Sequence, residues 1–132
     1  MNGPIPPSWA PYLLSVLRIT ASFSFIMHGT AKLFAWPVAQ PRDPVALMSL
    51  AGLAGGLELV GGLILLFGIF TRPVAFLLSG EMAVAYFMSH ASRNFFPTLN
   101  GGEPAYLFCF IFLYIAAAGA GPWSIDALMR KR

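Results

Sequence analysis

The stretch from Ala46 to Phe70 reads ALMSLAGLAGGLELVGGLILLFGIF, and its only charged residue is Glu58. A helix needs roughly 20 mostly apolar residues to cross a bilayer, and this run supplies them. Glycine recurs through it at Gly52, Gly55, Gly56, Gly61, Gly62 and Gly68. Gly55 precedes Glu58 by three residues and Gly62 follows it by four, so all three share one helical face. Small residues let helix backbones approach closely in lipid, which is how membrane bundles pack. The pattern predicts a spanning helix that packs through Gly52, Gly55, Gly56 and Gly62 around a buried, paired Glu58. A sharper reading adds room for a ligand beside that carboxylate. Gly68, near the membrane edge, is expected to tolerate substitution.

Three further apolar stretches lie outward from this one, at about Tyr12 to Ala35, Pro73 to His90 and Pro104 to Ala120. The 132 residues are 58% hydrophobic and only 10% charged, against about 25% charged for an ordinary soluble domain. A chain this small has too little polar surface to coat itself in water. The net charge is +3, yet no Lys/Arg run exceeds three residues, so a nucleic-acid stripe is excluded. One cysteine, Cys109, excludes an internal disulfide, a structural zinc site and a CxxC redox pair. The apolar runs lack the polar alternation of a membrane barrel. The expected fold is all-α: an integral membrane four-helix bundle, residues 1–132 as one domain, with a short C-terminal interfacial helix.

The spans are separated by chain breakers. Trp36-Pro37 and Pro41-Arg42-Asp43-Pro44 follow the first, Thr71-Arg72-Pro73 turns between the second and third, and Pro97 with Asn100-Gly101-Gly102-Glu103-Pro104 precedes the fourth. Pro104 suits a first helical turn, and Gly119-Ala120-Gly121-Pro122 ends the fourth span. Residues 1–11 carry four prolines and no Lys or Arg, unlike a secretory signal, so the first span is expected to stay in the protein. Arg72 and Arg130-Lys131-Arg132 fall on one side, Arg42 and Arg93 with nearby Lys32 on the other. The excess predicts that both termini are cytoplasmic. After Pro122, Ser124 is expected to cap a short surface helix with Asp126 in its first turn and basic residues at its end.

A Lys, Arg or Asp at the centre of a span costs about 2.5–3.5 kcal/mol on insertion scales. Lys32 lies near a span end and reads as a snorkelling anchor. Arg18, Glu58 and Glu81, with His28 beside them, are the candidate buried polar cluster or ligand pocket. At 1.5 Å of rise per residue, Arg18 and Glu81 come out nearly level, so Arg18 is expected to pair with the membrane carboxylates. There is no HExxH, Walker or GxGxxG motif, and the two histidines lack carboxylates at ligand spacing, so no metal site is assigned. No cofactor is identifiable, although the aromatics from Tyr106 to Tyr114 could flank a flat quinone ring. Cys109 reads as a small apolar filler.

Leu17-Arg18-Ile19 and His28-Gly29-Thr30-Ala31-Lys32-Leu33 stand in the first span. Gly56-Leu57-Glu58-Leu59-Val60-Gly61-Gly62-Leu63 runs on to Phe67-Gly68-Ile69-Phe70-Thr71-Arg72, then come Asn100-Gly101-Gly102-Glu103 and Gly121-Pro122-Trp123-Ser124-Ile125-Asp126. In this order and spacing, over residues 12–128, the chain resembles the DoxX family of small four-span bacterial membrane proteins. Ala120 departs from the Gly-Pro-Gly that many relatives show there. The resemblance implies a component of a membrane oxidoreductase system, some relatives being linked to thiosulfate oxidation with a quinone acceptor and others to thiol redox defence. With one cysteine, thiol chemistry by this chain alone is not expected. The leading expectation is an accessory or quinone-facing subunit, in contact with soluble or membrane oxidoreductase subunits, rather than a stand-alone enzyme. A small proton-coupled transporter or pore formed by a homo-oligomer, and a structural or assembly protein, are the alternatives.

Overall fold

The computed structural model describes residues 3–39 and 44–131. Arg42 and Arg132 lie outside the described residues. A 3-10 turn, Pro7–Trp9, leads into α1, Ala10–Phe34. It is followed by α2, Leu50–Phe67; α3, Thr71–Ser89; the single turn α4, Pro97–Asn100; α5, Glu103–Ala118; and α6, Ile125–Arg130. No strand occurs among the described residues.

The helix ends follow local chemistry. Ser49 caps α2 by accepting the Gly52 N–H at 3.0 Å, so residues 46–49 lie outside the helix although Leu47 and Met48 are apolar. Gly68 ends α2 in the left-handed region, and only residues 68–70 separate α2 from α3, which begins at Thr71 rather than Pro73. Pro104 stands in the first turn of α5, and Gly119 closes that helix. Ser124 accepts the Ala127 N–H and caps α6, as its place in the sequence predicts.

The four long helices form two antiparallel hairpins, α1 on α2 and α3 on α5, joined by the tight α2–α3 turn. Phe25, Leu65, Leu78, Phe112 and Ile115 fill the core, with the Phe25 and Phe112 rings edge to face at 4.9 Å. Ser79 donates to the Cys109 carbonyl at 2.7 Å, tying α3 to α5. Large apolar side chains such as Phe23, Phe76, Phe87 and Phe110 point outward from the long helices, a surface suited to lipid. The Pro7–Phe34 segment and α2 are long and apolar enough to cross a membrane; α5 is apolar but shorter.

The glycines divide by what they touch. A Cβ at Gly29 would sit 2.7 Å from the Leu59 backbone nitrogen and 2.8 Å from the Gly55 oxygen, marking the closest backbone approach of α1 and α2. Gly55 faces Lys32 and Leu33, Gly62 faces Ile26, and Gly61 faces Leu78 of α3. Two expected packing positions differ. Gly52 lies against the carbonyls of Ala46 and Leu47, the segment before its own helix, and Gly56 has open space around it. Adjacent glycines point about 100° apart, so Gly55 can face α1 while Gly56 cannot. Gly29→Ala is expected to lower stability by about 1–3 kcal/mol through overpacking. Gly56→Ala should leave it unchanged or slightly raised, both read by thermal unfolding in detergent.

Candidate functional site

Arg18 sits low on α1 and is fully buried. Its Nε donates to the Ala120 carbonyl at 2.9 Å, Nη1 to the carbonyls of Leu65 and Leu66 at 2.5 Å, and Nη2 to the Trp123 carbonyl at 2.5 Å. The last carbonyls of a helix have no partner within it, and here the guanidinium supplies one. The expected pairing of Arg18 with Glu58 and Glu81 is therefore corrected: its fork of donors is spent on the C-terminus of α2 and on residues 120–123. The acid whose charge reaches it is Asp126.

Asp126 completes this end of the bundle. Its two carboxylate oxygens accept the N–H groups of Phe70 and Thr71, each at 2.9 Å, at the start of α3, and its own N–H donates to the Gly68 carbonyl. Trp123 N–H donates to Ser15 Oγ at 3.2 Å. Arg72 donates to the carbonyls of Ala116, Ala117 and Ala118 and so closes α5. Gly68, expected to tolerate change, is enclosed here: φ is +68°, and a Cβ would meet Ser124 and the Arg18 guanidinium.

A second polar centre lies farther along α1. Lys32 Nζ pairs with Glu58 Oε1 at 2.5 Å, and the Glu58 side chain is only 3% exposed. Lys32 is thus a partner inside the bundle and not merely an interface anchor. Gly55, whose Cβ position is 3.2 Å from Lys32 Cβ, gives the lysine stem its passage. On α3, both carboxyl oxygens of Glu81 are buried and have no hydrogen-bond partner among the described residues. The charges of Glu58 and Lys32 act on Glu81, and that of Lys32 acts on His28. The His28 ring meets Phe108 of α5 edge-on at 5.7 Å. The structure therefore associates His28, Lys32, Glu58 and Glu81 and gives Arg18 a separate set of partners. The sequence reads Lys32 as an anchor; the signal that points to the pair is a cation on one span and a carboxylate on the next, both needing a partner.

At the same end of α3, Asn100 closes the connection to α5. Its Nδ2 donates to Tyr86 Oη and the Asn94 carbonyl, both at 3.0 Å, and its Oδ1 accepts the Gly102 N–H at 2.7 Å. A Cβ at Gly102 would press on His90, Asn100 and Tyr86. No group of three metal-ligating side chains forms among the described residues.

Two outcomes follow from this geometry. Arg18→Lys keeps the charge but loses the fork, and each stranded buried carbonyl costs about 1–3 kcal/mol. Its loss should add to that of Glu81→Gln within about 0.5 kcal/mol in a double-mutant cycle by thermal unfolding, since the two share no bond. Partial burial opposes ionisation of Asp126, but the hydrogen bonds from Thr71 and Phe70 and the Arg130 charge outweigh it and hold the carboxyl below the ordinary aspartate range. A lowered folded-state pKa contributes stability above the unfolded value and loses it as pH falls through the folded one. Acid unfolding of the wild type should therefore show a loss below the ordinary aspartate range that Asp126→Asn lacks.

The profile of the family described as DoxX matches residues 13–91. An uncharacterised protein of Haemophilus influenzae is 42% identical over 133 residues, covering 94% of this chain and 96% of that protein. The inner membrane protein YqjF of Escherichia coli K12 is 30% identical over 132 residues, covering 89% and 92%. A second uncharacterised Haemophilus influenzae protein is 32% identical over 78 residues, 59% of this chain and 52% of its own length. No solved structure matches. With its glycine-packed helices, its buried charges and a relative aligned almost end to end, the chain belongs to the DoxX family of membrane proteins.

Proposed function

We propose that this chain is a proton-handling, quinone-facing component of a membrane redox assembly. In this reading all four long helices cross the bacterial inner membrane and both termini are cytoplasmic. The observation that carries it is Glu81, whose two buried carboxyl oxygens have no hydrogen-bond partner among the described residues. An intramembrane carboxyl that no ion pair commits to one state is free to take up and release a proton. The Lys32–Glu58 ion pair stands on the neighbouring hairpin, and both of its charges act on Glu81.

A seam of about 500 Å³ between α1 and α5 supports the quinone. Leu17, Leu107, Phe108 and Ile111 line it, with Thr20, Ser24 and Glu103 as its polar points. Its wall residue Phe108 is the ring that meets His28, so the seam and the polar cluster share that side chain. Reduction of a quinone consumes two electrons and two protons; the electrons come from a partner subunit, and the Glu81 carboxyl relays protons.

The test measures quinone in the full chain purified in mild detergent, by extraction and absorbance. Wild type is compared with Leu107→Trp, which fills the seam, and Glu81→Gln, which removes the exchangeable proton. Near-stoichiometric quinone in the wild type, lost in Leu107→Trp, is expected. Glu81→Gln should keep the quinone but slow proton uptake when dithionite reduces it. A quinone-free wild type that alone drives proton-coupled uptake in proteoliposomes would replace this reading with a transporter.

A further inference from the structure

A groove of about 1030 Å³ opens at the Arg18 end of the molecule, between the start of α1, the end of α5 and α6. Pro11, Leu14 and Tyr114 contribute its apolar wall, and Arg72, Arg130 and Lys131 its cations. The acid in the lining, Asp126, has both oxygens bonded to backbone N–H groups, which leaves the groove with a basic balance. Arg72 is held by the α5 carbonyls, its guanidinium 3.4 Å from where a Gly119 Cβ would stand; Arg130 and Lys131 are exposed at the end of α6. The Tyr12 and Trp123 rings, 5.7 Å apart, mark the level of this end as the kind of aromatic belt found at headgroups.

We propose that this groove holds an anionic phospholipid. Its phosphate lies among Arg72, Arg130 and Lys131, and an acyl chain runs along Pro11, Leu14 and Tyr114. Basic pockets between membrane helices on the cytoplasmic side suit anionic headgroups, and the apolar wall distinguishes a lipid from a free anion. Occupancy would brace α6 against α1 and α5, the helices on either side of the Arg18 bonds. The inference rests on the membrane orientation of the reading above, with this end at the cytoplasmic surface, and not on its proton handling.

The experiment titrates the full chain, purified in detergent and washed free of lipid, with short-chain phosphatidylglycerol, short-chain phosphatidylcholine and inorganic phosphate. Native mass spectrometry reads bound lipid, and thermal unfolding reads stabilisation. Phosphatidylglycerol should bind and stabilise in preference to phosphatidylcholine. Arg130→Gln combined with Lys131→Gln should weaken it roughly thirty-fold, the loss expected for two basic side chains. If that variant unfolds without lipid at a lower temperature, Arg130→Lys with Lys131→Arg should still bind as the wild type does. Equal binding of the two lipids, a double Gln variant that binds like the wild type, or stabilisation by inorganic phosphate matching that by phosphatidylglycerol overturns the proposal.

Discussion

A buried guanidinium bonded to four backbone carbonyls is the constraint on which the bundle closes. Arg18 is surrounded by carbonyl dipoles at the C-terminal end of α2 and in the loop after α5, where the backbone carries partial negative charge and has no intrahelical donors of its own. One side chain thereby fixes α1 to α2 and both to residues 120–123. Asp126 and Arg72 repeat the logic with matching sign: the acid meets the N-terminus of α3, and the base meets the C-terminus of α5. Three helix termini are thus satisfied by side chains of opposite charge to their dipoles.

That commitment decides what remains for the carboxylates. With Arg18 occupied, Glu58 takes Lys32 across the place where Gly29 and Gly55 bring the α1 and α2 backbones together. A bulkier residue at either glycine would hold the helices apart and lengthen the reach of the lysine. Glu81, on the neighbouring hairpin, has no such partner among the described residues, and this difference between two acids of one type is what gives the centre chemical interest. The apolar core around Phe25, Leu65 and Phe112 is a layer distinct from both polar sets.

The order and type of the long helices were legible because apolar runs, Pro104, Gly119 and the Ser124 cap all act locally. The start of α2 was not: Leu47 and Met48 extend the apolar run, and only the geometry of Ser49 shows that the helix begins after them. The destination of Arg18 was hidden for a deeper reason. Its acceptors are backbone carbonyls, which every residue possesses, so no residue type at positions 65, 66, 120 or 123 announces them. Charges, by contrast, do announce themselves, and for that reason the sequence points to the carboxylates as the partners. Gly29 was equally inconspicuous as a single glycine in a helix, whereas the crowded glycines of α2 invited a packing role that Gly56 does not have. Asp126 was visible as a first-turn acid of α6; that it caps a different helix depends on the fold of the α2–α3 turn.

The separation of Arg18 from its acceptors also sets an order of events during biosynthesis. The Leu65 carbonyl is made 47 residues after the arginine, and the Ala120 carbonyl 102 residues after it. At a synthesis rate of about 5–20 residues per second, the second interval is roughly 5–20 s. Over that time the guanidinium lacks the carbonyl acceptors that it has in the finished fold, and a buried charge without partners is costly. The first helix can therefore take its final packing only when the 120–123 segment arrives. In the order of synthesis closure of the bundle comes last, and the arginine is the group that defers it.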